Sequence, residues 1–236
     1  VPSTVLVPVS LPDPEPIPES LVRLLSQTNV LVLGINKVPD QTVPDQAREN
    51  DHGESKERIN NIASKFRESG SNVTSKVIFT HNRRDTIDRV TKEGECNVIL
   101  VPNHAGRMEW ILVPLRGNTN IDRISDFVAD LTTDELRRVT LLHVTDSESD
   151  QEGKPLLTEA RQKLVDKGVD EQFIETDLIT SHEVVETITE QAKNYDTIVI
   201  GGTEPSLLDR VFGDIPHRIS QETGCPVFII PPETKS

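Results

Sequence analysis

The sequence predicts an α/β fold made of two tandem doubly wound units, each a parallel sheet with helices on both faces. Three observations predict it. Short apolar runs alternate with amphipathic helical patterns along the chain. The runs are apolar at successive positions, which suits strands buried on both faces. Three segments also recur in order at a nearly fixed offset: "VLVPV" at Val5 and "ILVPL" at Ile111 lie 106 residues apart, "NVLVLGI" at Asn29 and "RVTLLHV" at Arg138 lie 109 apart, and "NVILVP" at Asn97 and "DTIVIG" at Asp196 lie 99 apart. Such self-similarity marks a duplicated domain. The boundary falls near His104–Glu109, giving a first unit over 1–106 and a second over 107–236. The first is truncated, without a closing helix and strand.

Taken in order, Val5–Val9, Val30–Ile35, Val73–Thr80 and Val98–Pro102 read as the strands of the first unit. Ile111–Leu115, Val139–Val144, the moderately β-like Phe173–Ile179, Thr197–Ile200 and Val227–Ile230 read as those of the second. Between them, Ile59, Ile62, Ala63 and Phe66 fall at i, i+3, i+4 and i+7, one face of a helix. Ile121, Ile124, Phe127, Val128 and Leu131 repeat that logic, as do Leu157, Ala160 and Leu164, then Val184, Val185, Ile188 and Ala192. Gly70 and Gly168 mark helix stops. Asp214 before Ile215-Pro216 reads as an N-cap followed by a first-turn proline. The Pro-rich Leu11–Pro18 and the polar Val38–Ser55 read as loops.

Composition narrows the function. The chain has 236 residues, 39 acidic against 25 basic, and a net charge of −14. Phosphates would be repelled, so nucleic acid is not expected as a partner. The charge suits a salt-rich cytosol in which ions screen self-repulsion, a halophilic pattern. Aromatics are 3%, so the core must be Val, Ile, Leu and Ala. No apolar run approaches the ~20 residues that span a bilayer, and no secretory leader is visible. The opening at Val1 suggests a trimmed product or a piece of a longer protein. Cys96 and Cys225 make no disulfide framework, and a reducing cytoplasm is expected.

The residues that bear chemistry are few. The six histidines lack metal-ligand spacing and have no cysteine beside them, so no metal is expected. His143 reads as a core or cleft-lining histidine and His217 as a solvated helix residue. Arg83-Arg84, with Lys76, reads as a solvated helix start. Trp110, at the junction, is expected to be buried between the copies. Cys225 reads as packing. There is no G-x-S-x-G elbow and no Walker-type G-x4-G-K-[ST].

One arrangement stands out. Gly201 directly follows the strand Thr197–Ile200, and Gly213 directly precedes the helix near Ile215. Glycines let backbone N–H groups approach phosphates, and a helix N-terminus adds partial positive charge.

The segment "DTIVIGGTEPSLLDRVFGDIPHRISQETGCPVFIIP", with its closing "GCPVFII" at Gly224–Ile230, resembles the end of universal stress protein domains, and the two-unit order resembles a tandem UspA-like pair over nearly the whole chain. The resemblance implies a Rossmann-like fold of the adenine nucleotide alpha hydrolase-like class. It implies a loop of the form G-x-x-G-x9-G-[ST] holding ATP or another adenine nucleotide. Carried onto this chain, the nucleotide-binding positions are Pro114, Arg116, Val144, Gly201, Gly202, Gly213, Asp214 and Ile215.

The chain departs from that pattern. Gly201 to Gly213 spans 12 residues rather than 13, Glu204 replaces the second glycine, and Asp214 replaces the Ser or Thr. Ser10 and Arg116 stand where the family often has Asp after the first strand. Carboxylates beside phosphates cost on the order of 1–4 kcal/mol near a surface, so weak or no ATP affinity is expected. The first copy has no glycine loop and reads as a degenerate partner, so the chain itself would form a pseudo-dimer, with association into a homodimer also open.

The resemblance implies a non-catalytic, nucleotide-responsive regulatory module. An alternative is the cytoplasmic regulatory portion of an amino-acid or cation transporter, tethered to the inner face of the membrane. A weak ATPase is the third reading, disfavoured because no general base or P-loop lysine is recognisable.

Overall fold

The computed structural model describes residues 2–103, 106–117, 120–131, 136–146, 152–202 and 215–232. The chain divides into two compact units, Ser3–Leu100 and Val101–Ser236.

The first unit runs β1 (Thr4–Leu11), α1 (Glu19–Leu24), β2 (Asn29–Lys37), α2 (Pro44–Asn50), α3 (Glu54–Glu68), β3 (Asn72–Thr80), α4 (Arg83–Lys92) and β4 (Val98–Val101). Its parallel strands lie in the order β3-β2-β1-β4. The central strands are nearly all apolar, and Leu6, Leu31, Leu33 and Ile99 are buried. Helix α3 lays Ile59, Ala63 and Phe66 on the sheet, the face read from their spacing. It can approach closely because β2 carries Gly34: a Cβ there would sit 2.5 Å from Ile59 Cγ1.

The second unit runs β5 (Trp110–Pro114), α5 (Ile121–Asp130), β6 (Arg138–Thr145), α6 (Gly153–Asp166), a 3-10 turn (Glu171–Phe173), β7 (Ile174–Thr180), α7 (Val184–Ala192), β8 (Thr197–Gly201), α8 (Ile215–Thr223) and β9 (Val227–Ile230). Its parallel strands lie in the order β9-β8-β5-β6-β7. Phe127 of α5 meets Phe228 of β9 edge to face, centroids 5.0 Å apart, in a core otherwise aliphatic. Helices α5 and α6 are stitched on their outer edge by Lys163–Asp122 at 2.6 Å and by Lys167–Asp126.

Three expectations from the sequence are corrected. The Val38–Ser55 stretch is not all loop: it contains α2 and the start of α3. None of the residues of α2 is buried and Pro44 opens it, so no apolar period marks it. Trp110 is not buried but 40% exposed. It is the first residue of β5, and the Arg138 guanidinium lies over its ring at 5.1 Å, a cation–π contact that suits an exposed face. Arg83 is no solvated helix start: it is half-buried and donates to Ser10 Oγ. Lys76 is paired with Glu95.

Candidate functional site

Both units place a proline near the C-terminal end of a central strand, Pro8 in β1 and Pro114 in β5. Pairing of β1 with β4 involves Val5 and Leu6, and pairing of β5 with β8 involves Ile111 and Leu112. In each case the pairs stop two residues short of the proline. Proline has no N–H to give to a ladder. The strand order also reverses there: β5 leads to β6 and β7 on one side, while β8 and β9 lie on the other. In open α/β sheets ligands settle at such a reversal, beyond the carboxyl ends of the strands.

In the second unit this end gathers several of the positions read from the sequence. Pro114 closes β5, and Arg116 follows it, exposed, with no hydrogen bond or ion pair among the described residues. Val144 lies near the end of the adjacent β6, 9% exposed. Gly201 closes β8 and Gly202 follows. Gly213 and Asp214 lie outside the described residues, as does the side chain of Ile215; Glu204 lies outside them too.

The two glycines serve close packing. A Cβ on Gly201 would come within 2.7 Å of Ile124 Cδ1, and one on Gly202 within 3.0 Å of Pro232 Cδ and 3.3 Å of the Ile230 carbonyl oxygen. Gly202 N–H donates to the Ile230 carbonyl at 2.8 Å, and its own carbonyl accepts from Asn120 Nδ2. Both backbone groups of Gly202 are thus engaged, and the residue pins the start of the β8–α8 connection.

Asn120 was not singled out in the sequence. It immediately precedes α5 and is 7% exposed. Its amide nitrogen faces Gly202, while Oδ1 is buried without a hydrogen-bond partner among the described residues. Arg123, one turn on, donates to the Pro231 carbonyl. Helix α5 therefore clamps the ends of both β8 and β9. An Asn before an apolar-periodic run was the available signal; the identity of what it holds, 82 residues along, was not.

His143 is half-buried in β6, and its Nδ1 lies 2.9 Å from the Leu115 carbonyl, so that nitrogen carries the proton and donates. His217 is exposed in α8. Cys225 is buried, its Sγ 2.9 Å from the Tyr195 carbonyl, and burial raises its pKa. Among the described residues no group of three His, Cys, Asp or Glu is placed to hold a metal, and no helix is long and apolar enough to cross a membrane.

In the first unit the corresponding strand end is built differently. Ser10 there receives the Arg83 guanidinium from the first residue of α4. Burial lowers the Arg83 pKa from its ordinary value, and the nearby Glu15 carboxylate opposes that.

The family model described as the universal stress protein family matches residues 108–231. Universal stress protein YxiE of Bacillus subtilis is 32% identical over 85 residues, which is 36% of this chain and 56% of YxiE. The chain thus spans about half the length of that relative. A universal stress protein from Archaeoglobus fulgidus superposes with a TM-score of 0.64 over 97% of this chain and 98% of its own, at 12% identity. A functionally unknown protein from Pseudomonas aeruginosa gives 0.50 over 98% and 93%, at 14% identity. The two structures share the fold, and the family model covers more than half of the residues: the chain belongs to the universal stress protein family.

Proposed function

We propose that the second unit is a nucleotide-responsive binding module that takes an adenine nucleotide and does not turn it over. The observation that carries this is the reversal of strand order between β5 and β8, where Pro114 ends the pairing and Gly201-Gly202 begin the connection to α8. Membership of the family supports it. Val144 gives the base an apolar wall at the end of β6. Arg116, exposed at the end of β5, supplies the positive charge that a phosphate needs. In the loop pattern of the sequence, Glu204 and Asp214 stand at positions where the family has glycine and Ser or Thr, and carboxylates at those positions would oppose phosphate accumulation. The reading therefore favours adenosine and its monophosphate over the triphosphate. The site is read as binding only, with Arg116 as the anion ligand and His143 held in place by its Nδ1 hydrogen bond to the Leu115 carbonyl.

Calorimetry of the full chain with adenosine, AMP and ATP tests this. AMP is expected to bind at least as tightly as ATP, with no release of ADP with or without magnesium. Arg116→Glu is expected to weaken AMP and spare adenosine. Asn120→Ala, which frees the Gly202 carbonyl, is expected to weaken all three while the circular dichroism is unchanged. Sub-micromolar ATP affinity overturns the electrostatic part of the reading. Steady ADP release overturns the binding-only part, and no binding of any of the three overturns the whole. A cytoplasmic regulatory portion of a transporter carries the same module; apolar runs of ~20 residues elsewhere in the parent reading frame would establish that setting.

A further inference from the structure

In the first unit α1 has 6 residues and α3 has 15. The short helix covers only part of the long one. The segment before it, with prolines at 12, 14, 16 and 18, runs beside α3 and leaves a groove of about 310 Å³ between them. That volume lies at the small end of the range for small-molecule pockets, roughly 300–1,000 Å³.

The groove has two chemically distinct sides. Pro14, Pro16, Ile17 and Val22 make one wall, and Ile62, resting on the buried Phe66, makes the floor. Arg58, Asn61 and Lys65 stand on the α3 side. They fall at i, i+3 and i+7, so they share one helix face with Ile62. All three are exposed, and none has a side-chain hydrogen bond or ion pair among the described residues. Arg58 and Lys65 stand beside an apolar floor in a chain whose net charge is −14, and Glu15 is the one carboxylate among the described residues of the lining. Glu15 belongs to the strap side of the groove and its charge also acts to raise the pKa of Arg83, so the described lining carries two cations against one carboxylate. The wall is stiff before any ligand arrives: each proline fixes its own φ and restricts the residue before it. A pre-formed wall avoids the cost of ordering a loop on binding.

We infer that this groove binds a small amphipathic carboxylate, its head held by Arg58 and Asn61 with Lys65 adding charge, its apolar body lying along Ile62, Ile17 and the proline rings. A free small molecule fits better than a membrane surface, because an anionic bilayer repels a strongly acidic chain. The site lies wholly in the first unit and stands apart from the nucleotide reading of the second.

Octanoate is the probe, titrated into the isotopically labelled 236-residue chain and followed by amide chemical shifts. Saturable shifts are expected at residues of the proline strap and of α3 around Asn61, at one molecule per chain. Octylamine, with the same body and the opposite charge, is expected to give none. Arg58→Glu should weaken octanoate by about tenfold or more, the worth of one charge-assisted hydrogen bond. Lys56→Glu, the same charge change on the same helix away from the groove, should leave the affinity unchanged. Ile62→Gln, which keeps the charge and removes the apolar floor, should also weaken it. The inference is overturned if octanoate gives no saturable shifts in folded protein, or if octylamine binds equally well. It is overturned too if Lys56→Glu weakens binding as much as Arg58→Glu. Shifts produced only by an acidic peptide and not by octanoate would make the groove a protein-docking face and overturn it as well.

Discussion

Cys96 sits beneath the end of α4, its sulfur 3.7 Å from Thr91 Oγ1. Burial pushes its pKa up from 9.0 to about 11; the Glu95 charge adds to the rise and the Thr91 hydrogen bond opposes it. The folded chain therefore holds a proton that the unfolded chain releases at lower pH. This thiol's contribution is intact below pH 9.0 and is lost as pH rises through about 11, on the order of 2–3 kcal/mol in all. Urea denaturation at a series of alkaline pH values should show the decline, and Cys96→Val should flatten it. An equal slope in the variant would assign the loss to other groups. The buried state of this thiol was not argued from the sequence, and neither was the role of Asn120. Each depends on partners that the fold supplies: the wall around Cys96, and the carbonyl of Gly202. Gly201 was legible as a strand end because it directly follows an apolar run, whereas β5 was read one residue too long, to Leu115, and ends at Pro114.

Buried elements carried the strongest signals, although β3, read as Val73–Thr80, has no fully buried residue and was legible from its β-branched run. Strand β9 was read with its observed bounds, Val227–Ile230, and all four residues are buried. Strand β7 read only moderately, and of its residues Ile174 alone is buried. It is paired only with β6, and its run of Glu, Thr and Asp suits an edge that must not pair further. Helix α2, with no buried residue, left no period to read. Helix α4 shows what a local signal adds: Asn82 Oδ1 accepts from Arg84 N–H at 3.0 Å and from Asp85 N–H at 3.4 Å. Asn82→Ala should cost about 1 kcal/mol in a denaturant titration, while Asn82→Asp should cost far less. If alanine proves neutral, the helix start is held by the Arg83 contact with Ser10 instead.

Across the whole chain, a net charge of −14 sets long-range repulsion against short ion pairs. The pairs are exposed, Lys163–Asp122 and Arg218–Glu222 among them, and exposed pairs contribute roughly 0–1 kcal/mol each. Salt weakens both effects, with a screening length of about 10 Å at 0.1 M. If the net repulsion dominates, the melting temperature rises steadily with added potassium chloride. A melting temperature indifferent to salt would remove the halophilic reading. The strand order shared by the two units was visible at this scale because their apolar strands recur at near-fixed offsets in the sequence. The crevice chemistry was not, because it sits in side chains that differ between the two units: Ser10 beneath Arg83 in one, Arg116 exposed in the other.

The lone tryptophan opens β5 in the second unit under the Arg138 guanidinium, and the lone tyrosine, Tyr195, belongs to the same unit. The first unit owns neither. Intrinsic fluorescence is therefore blind to half of the molecule: its emission follows one unit and is quenched or shifted as the cation above the indole comes and goes. A heat-absorbing transition in a calorimeter that has no optical counterpart would belong to the silent half, so the two signals together separate the melting of the two units without any engineered dye.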